Sequence, residues 1–374
     1  MNTTSDPQLN RNLKSGFLAL LLACFIVLHA ADCPAAAALG HGEGTLRVMT
    51  YNVDEGTDYI ELLSATTLSQ FLLAVGQTIT QVRATDPPSR MQAVARQIIA
   101  AGAELVSLQE VDTWMTGAFD PRSDTCSPVS VEFDMLAELL EALAAQGGHY
   151  QVAIKRLQFA FPPTPGVIAP STLFCAAVEN FNVILARTDI DSNQFQWSNA
   201  QSGEFTAQTI VPTPIGPIPL PVVWVSVDAQ FHRRPFRFIG THLDSILTAV
   251  RQAQGAELRA GPADTPLPVV IAMDSNAPAF PPPQDPAYVD FAAAGYDDAW
   301  FEIFPNQPGL TCCQAQLVNN PVSELTQRID LVLTLGDIDA RAIALFGADQ
   351  ASKTAAGLWP SDHAGVAARL QLGR

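Results

Sequence analysis

Ser361-Asp362-His363 sets an acid and an imidazole side by side, after Pro360 and before an alternating apolar run (Ala364, Val366, Ala368, Leu370). The alternation predicts a strand, and the tripeptide reads as a loop delivering two polar groups at its lip. An Asp-His pair alone is commonly a solvated loop. This one completes a series, because earlier strand-like runs also end at or beside a carboxylate, amide or imidazole: Asn52, Glu110, His242, Asp274 with Asn276, and Asp330.

Upstream, the runs carrying those residues alternate with helical ones. Strands are predicted at 46–51, 104–109, 150–154, 181–186, 222–231, 236–241, 267–273, 329–335 and 343–346, and helices over 59–83, 89–101, 131–146 and 247–260. Ser89 is the expected N-cap of the second helix, and Gly102 its stop. His232 to Pro235 reads as the turn of an antiparallel hairpin. The stretches 115–130, 161–172, 211–221 and 278–286, rich in Gly, Pro or Ser, read as loops. Strands interleaved with helices are the grammar of a layered α/β fold. No repeat of fixed period appears, so one catalytic domain over 44–374 is the simplest organisation.

The 374 residues are 48% hydrophobic and 15% charged, ample material for one large core, and the net charge of −17 lacks the basic footprint of a free-standing nucleic-acid binder. A nuclease that borrows positive charge from a bound cation stays open. Residues 1–38 read as an export signal: Arg11 and Lys14, an apolar run from Phe17 to Leu28 too short for a comfortable span, then Ala35 to Ala38 for cleavage. A secreted or periplasmic protein is expected, membrane-anchored if the segment is uncleaved. Leu21-Leu22-Ala23-Cys24 leaves lipidation as a third reading. Cleavage would leave Cys126, Cys175, Cys312 and Cys313, for which three pairings exist. Cys126 with Cys175 is one choice. It leaves the adjacent Cys312 and Cys313 as a strained pair or in need of partners elsewhere. No His or Cys stands at ligand spacing around them, which argues against zinc there.

The strand endings are mostly hard oxygen donors, which suit Mg2+, Mn2+ or Ca2+ better than zinc. Two histidines with carboxylate partners suit proton transfer near neutral pH. Together they meet the needs of phosphate-ester hydrolysis: a cation for the phosphoryl oxygens, a base for water and donors for developing charge.

In Met49-Thr50-Tyr51-Asn52, Ser107-Leu108-Gln109-Glu110-Val111, Thr241-His242-Leu243-Asp244, Met273-Asp274-Ser275-Asn276, Arg328-Ile329-Asp330 and Ser361-Asp362-His363, the chain resembles the endonuclease/exonuclease/phosphatase superfamily, with its deoxyribonuclease I-like fold. The resemblance spans residues 46–371 in order. It implies a four-layer α/β sandwich, two packed mixed β-sheets flanked by helices. It implies that Asn52 and Glu110 hold the cation, with Asp362 completing or extending the site. Asp274 and Asn276 would orient water and grip the phosphate. His363, aligned by Asp330, would act as base or transition-state stabiliser, and His242 would bond a phosphate oxygen or serve the leaving group. Glu179 would be the carboxylate partner of that histidine, and Asn182 would also face the site. Tyr51 stands where many members have tryptophan, Ala272-Met273 replaces a glycine ending, and the interval from Asn52 to Glu110 is long. The substrate would be a nucleic acid, a phospholipid or a small phosphate ester, the apolar 59–79 segment could touch a membrane surface, and a monomer is expected. A catalytically silent binding protein on the same fold is the competing class. His41, His149 and His232 have no place in the pattern. Trp114, Trp224, Trp300 and Trp359 read as core or rim, with Trp359 near Asp362 worth a test.

Overall fold

In the first strand both faces of the backbone find a core. β1 (Leu46–Asn52) turns Leu46 and Val48 toward one apolar cluster and Met49 and Tyr51 toward another. A computed structural model describes residues 39–40, 44–168 and 171–373; the candidate export segment 1–38 and His41 lie outside them. Helices α1 (Ile60–Ser64), α2 (Leu68–Ala84) and α3 (Pro87–Ala101) follow. Next come β2 (Leu105–Asp120), β3 (Thr125–Cys126), β4 (Ser130–Asp134), α4 (Met135–Ala145), β5 (Tyr150–Ile168) and β6 (Thr172–Arg187). Then come β7 (Phe195–Glu204), β8 (Thr209–Thr213), β9 (Gly216–Leu220), β10 (Val223–Phe231), β11 (Arg234–His242), α5 (Thr248–Ala260) and β12 (Val269–Asp274). The remainder is α6 (Pro286–Ala293), β13 (Asp297–Asp298), α7 (Ala299–Ile303), β14 (Asp330–Leu335), β15 (Ile338–Phe346) and β16 (Gly365–Leu372).

The strands form two mixed sheets. One runs β15-β16-β1-β2-β6-β5, with β3 and β4 along the far part of β2; the other runs β13-β14-β12-β11-β10-β7. β1 pairs parallel with β2, and β11 with β12. Leu46, Val48 and Ile184 of the first sheet meet Val225, Phe238 and Val270 of the second in one buried cluster. On the outer face of the first sheet Met49 and Val106 pack on Met91 and Ile98 of α3 and Leu139 of α4. Ile271 and Leu331 of the second pack on Leu258 of α5 and Phe291 of α6. The result is the expected four-layer α/β sandwich. β8 and β9 pair apart from both sheets.

Several local expectations are revised. The predicted helix 59–83 is two, because Thr67 caps α2 in a capping box with Gln70 and interrupts the run. The next helix starts at Pro87 behind the N-cap residue Asp86, so Ser89 lies inside it. β2 continues through the expected loop to Asp120, held by pairing with β6 and β4. The proline-rich 161–168 is strand too: Pro162 and Pro163 sit at a register shift, on the edge strand of the sheet, where a missing N–H costs least. Residues 209–220 form a hairpin rather than an irregular loop. β7 was not foreseen, its polar sequence having no apolar alternation, and α6 was not foreseen either.

Candidate active site

Strand pairing alone lines up three of the singled-out residues. In the second sheet His242 at the end of β11 stands opposite Asp274 at the end of β12, which stands opposite Asp330 at the start of β14. From the first sheet, β1 ends at Asn52 and a bulge in β2 turns Glu110 out of the ladder, with φ at 56°. Gly365 opens β16 directly after the loop bearing Asp362 and His363. Both sheets therefore direct polar residues to one edge, where a cleft of about 420 Å3 opens.

The two sheets are tied across this edge by Asn52. Its Nδ2 donates to Glu110 Oε1 at 2.7 Å and to Asp274 Oδ2 at 3.0 Å, and its Oδ1 accepts from the Asp54 backbone N–H at 3.0 Å. Asn52 is thus fully buried and braces two carboxylates; it does not offer its carbonyl oxygen to the cleft, as a ligand role requires. Ser361 Oγ donates to the Asn52 carbonyl at 2.7 Å, fastening the final loop to β1.

His363 and Asp330 form the shortest histidine–carboxylate pair of the site, 2.8 Å between Nδ1 and Oδ2. The Nε2 of His363 lies 3.8 Å from Asp274 Oδ2 and 3.9 Å from Asp362 Oδ2. Burial pulls the imidazole down, but the carboxylates of Asp330, Asp362 and Asp274 together outweigh it and hold the ring well above the usual histidine range. Burial pushes Asp330 up to about 6, against the pull of the facing imidazole. His242 Nε2 sits 3.4 Å from Asp274 Oδ2 and 3.9 Å from Glu110 Oε1, and its Nδ1 is buried without a hydrogen-bond partner. Asn276, also at positive φ, donates from Nδ2 to the Leu243 carbonyl at 2.9 Å and lines the cleft.

Glu179 is not brought here. Alternation along β6 points it away from the face of Asn180, and it is Asn180 that reaches the cleft. Asn182 also misses: its Nδ2 donates to the Val223 carbonyl between the sheets. Trp359 is fully buried and donates to the Asn320 carbonyl, so it belongs to the core.

Five residues that the sequence reading passed over enclose the site. Asn180 Nδ2 donates to both Glu55 Oε2 and Asp112 Oδ1, at 2.9 and 2.7 Å. Burial, with the charge of Glu110, holds the Glu55 and Asp112 carboxyls well above their ordinary range. Burial and the charges of Asp54 and Glu110 do the same to Asp362, despite the His363 ring. Arg90, fully buried, donates to the carbonyls of Thr85, Val53, Asp54 and Pro360 and pairs with Asp54 at 3.2 Å. Asp112 carried a signal, since it stands two residues after Glu110 on a strand; Arg90 reads as an ordinary helix-surface residue.

The clustered side chains offer donor sets for a metal ion. Glu110, His242 and Asp274 bring ligand atoms within 4.8 Å of one another, and so do Asp274, Asp330 and His363. Burial first, and neighbouring carboxylates second, raise these carboxyls, and Asp330 Oδ1 is buried with no donor. Opposite the acids the cleft wall is apolar: Tyr59, Ile60, Leu62, Phe159, Phe161 and Ile218. At the lip lie Cys312 and Cys313, joined to each other, while Cys126 and Cys175 form a separate bridge of 2.01 Å.

The architecture is shared with solved structures at low identity. An endonuclease/exonuclease/phosphatase family protein from Bacteroides thetaiotaomicron matches with a TM-score of 0.53 and 16% identity over 88% of this chain and 98% of its own. A functionally unknown conserved protein from Enterococcus faecalis matches at 0.51 and 15%, over 87% and 99%. A humanized D. rerio TDP2 matches at 0.50 and 14%, again over 87% and 99%. No family model and no curated protein matches the sequence.

Proposed function

We propose, from the endonuclease/exonuclease/phosphatase fold that this chain has, that it is an exported, divalent-cation-dependent hydrolase of phosphate esters. The observation that carries the reading is the row His242, Asp274, Asp330 across three neighbouring strands, met from the other sheet by Glu110 and from the last loop by His363. Glu110 and Asp362 would hold the cation, with Asn52 bracing Glu110. A bound Mg2+ or Mn2+ supplies charge neutralisation for the phosphoryl oxygens. Asp274 Oδ2, facing both imidazoles, orients the attacking water and takes its proton as the water oxygen bonds phosphorus and the ester P–O bond breaks. His363, held protonated by its carboxylate neighbours and aligned by Asp330, donates from Nε2 to the developing negative charge. His242 serves the leaving oxygen, and Asn276 helps fix the phosphate.

Among substrates a phospholipid diester suits the cleft best. The apolar wall offers no cation for a polyanion, and Ile60 at its rim is 61% exposed, where a membrane surface could meet it. The reading is tested by offering sphingomyelin, plasmid DNA and a generic phosphomonoester to the protein in Mg2+, Mn2+ or EDTA, with His363→Ala alongside. Turnover that needs the metal and is lost in the variant is expected. Failure on all three substrates, together with no divalent-ion binding by calorimetry, would hand the site to the binding-protein reading.

A further inference from the structure

We propose that Cys312 and Cys313, once reduced, form with His363 a second metal site that selects soft ions such as Zn2+ or Cd2+. No ligand spacing is visible along the chain here; the fold supplies it. Sulfur atoms of both cysteines and a ring nitrogen of His363 lie within 4.8 Å of one another, and Cys313 Sγ is 4.0 Å from His363 Nε2. The backbone holds them in that relation from two sides. Cys312 exchanges hydrogen bonds with Gln327, at 3.0 and 2.9 Å. Gln314 N–H donates to the Asp362 carbonyl and Ala364 N–H to the Thr311 carbonyl, both at 2.8 Å, so the cysteine segment and the Asp362-His363 loop are laced together. Cys313 is exposed and Cys312 is 4% exposed, so the site opens to solvent on one side and is shielded on the other.

Two thiolates and an imidazole are a soft donor set, unlike the oxygen-rich cluster beside them. The disulfide present in the structure offers no thiolate, so the site exists only after two-electron reduction. With a phosphine reductant, water supplies the oxygen of the phosphine oxide and its two protons go to the sulfurs, leaving two thiols. A divalent ion then displaces the two thiol protons and the Nε2 proton of His363, three in all, to solvent and binds both sulfurs and the freed ring nitrogen. That is the nitrogen whose proton the hydrolase reading uses as a donor, so metal uptake would stop turnover; this consequence, unlike the binding itself, rests on that reading.

The full-length protein is titrated with Cd2+ alone, before and after phosphine reduction, following the thiolate-to-cadmium ultraviolet absorption. Cys312→Ser/Cys313→Ser protein, treated alike, corrects for the other cysteines. Reduced wild type is expected to take up one more equivalent than that variant, and oxidised wild type none at this site. His363→Ala should weaken the extra uptake about tenfold or more. Equal uptake by wild type and the double variant, or by wild type and His363→Ala, overturns the proposal. Comparing oxidised with reduced wild type needs no variant to fold, and Cys313→Ser changes one exposed side chain while leaving Cys312 as a lone thiol. Hydrolysis by reduced wild type should cease at one bound equivalent and persist in Cys313→Ser. A protein that binds Cd2+ here yet hydrolyses nothing sinks the hydrolase reading and leaves the metal site standing.

Discussion

The His363–Asp330 pair ties activity to pH in one direction. The ring's pKa is raised, so the imidazolium persists through neutrality and is lost as pH rises through that raised value. Turnover that needs it falls on the alkaline side. Asp330→Asn removes one of the carboxylates that hold the ring up, so the alkaline limb of the pH–rate profile should move acidward; an unmoved limb would deny His363 the donor role. Glu104 is a separate case, far from the chemistry. Burial pushes its carboxyl up to about 7. A raised acid contributes most stability below the unfolded pKa and loses it as pH rises through the folded one. Glu104→Gln should therefore leave acid stability unchanged and add on the order of 3 kcal/mol well above pH 7, read from urea unfolding at both ends. The polar strand endings were legible one by one because strand ends are short, local signals. Glu179 misled because a shift of one residue reverses a strand's face, and Asn52's bracing role depends on contacts between two sheets that no local pattern encodes.

At the scale of elements, two glycines mark where secondary structures come closest. A Cβ at Gly76 of α2 would stand 1.9 Å from the Val167 carbonyl oxygen of β5, a backbone atom that cannot step aside. Gly76→Ala should cost several kcal/mol and appear as a lower midpoint in thermal unfolding. At Gly240 of β11 the Cβ would meet Ser107 Oγ of β2 at 2.3 Å, a contact between the sheets close behind the site. Helices and central strands were legible from their apolar periods. What escaped was strand built from proline and polar residues, in β5, β7 and the hairpin of β8 and β9. There pairing with a neighbour, rather than the segment's own composition, decides the conformation.

For the whole molecule the net charge of −17 and the crowded cleft carboxyls act together. Glu55, Asp112 and Asp362 all have raised pKa values, so without a cation stability should decline as pH rises. Mn2+ or Mg2+ should reverse that decline and raise the melting temperature, EDTA should restore it, and Glu110→Gln should abolish the response. A melting temperature indifferent to metal at pH 8 would remove the cation from the account. The layered architecture was legible because the order of strands and helices constrains topology strongly. The apolar cleft wall was not, since it joins α1, β5 and β9, segments far apart in the chain.

The bridge from Cys126 to Cys175 has a bearing on how the chain meets a protease. It closes a covalent ring, with a sequence separation of 49 between its ends, around β4, α4 and β5. A protease that cuts once inside that ring severs no part of the molecule from the rest. The nicked chain stays a single particle, and its two pieces part only when a reductant accompanies the denaturant. Cys175 is fully buried, so that release waits for unfolding.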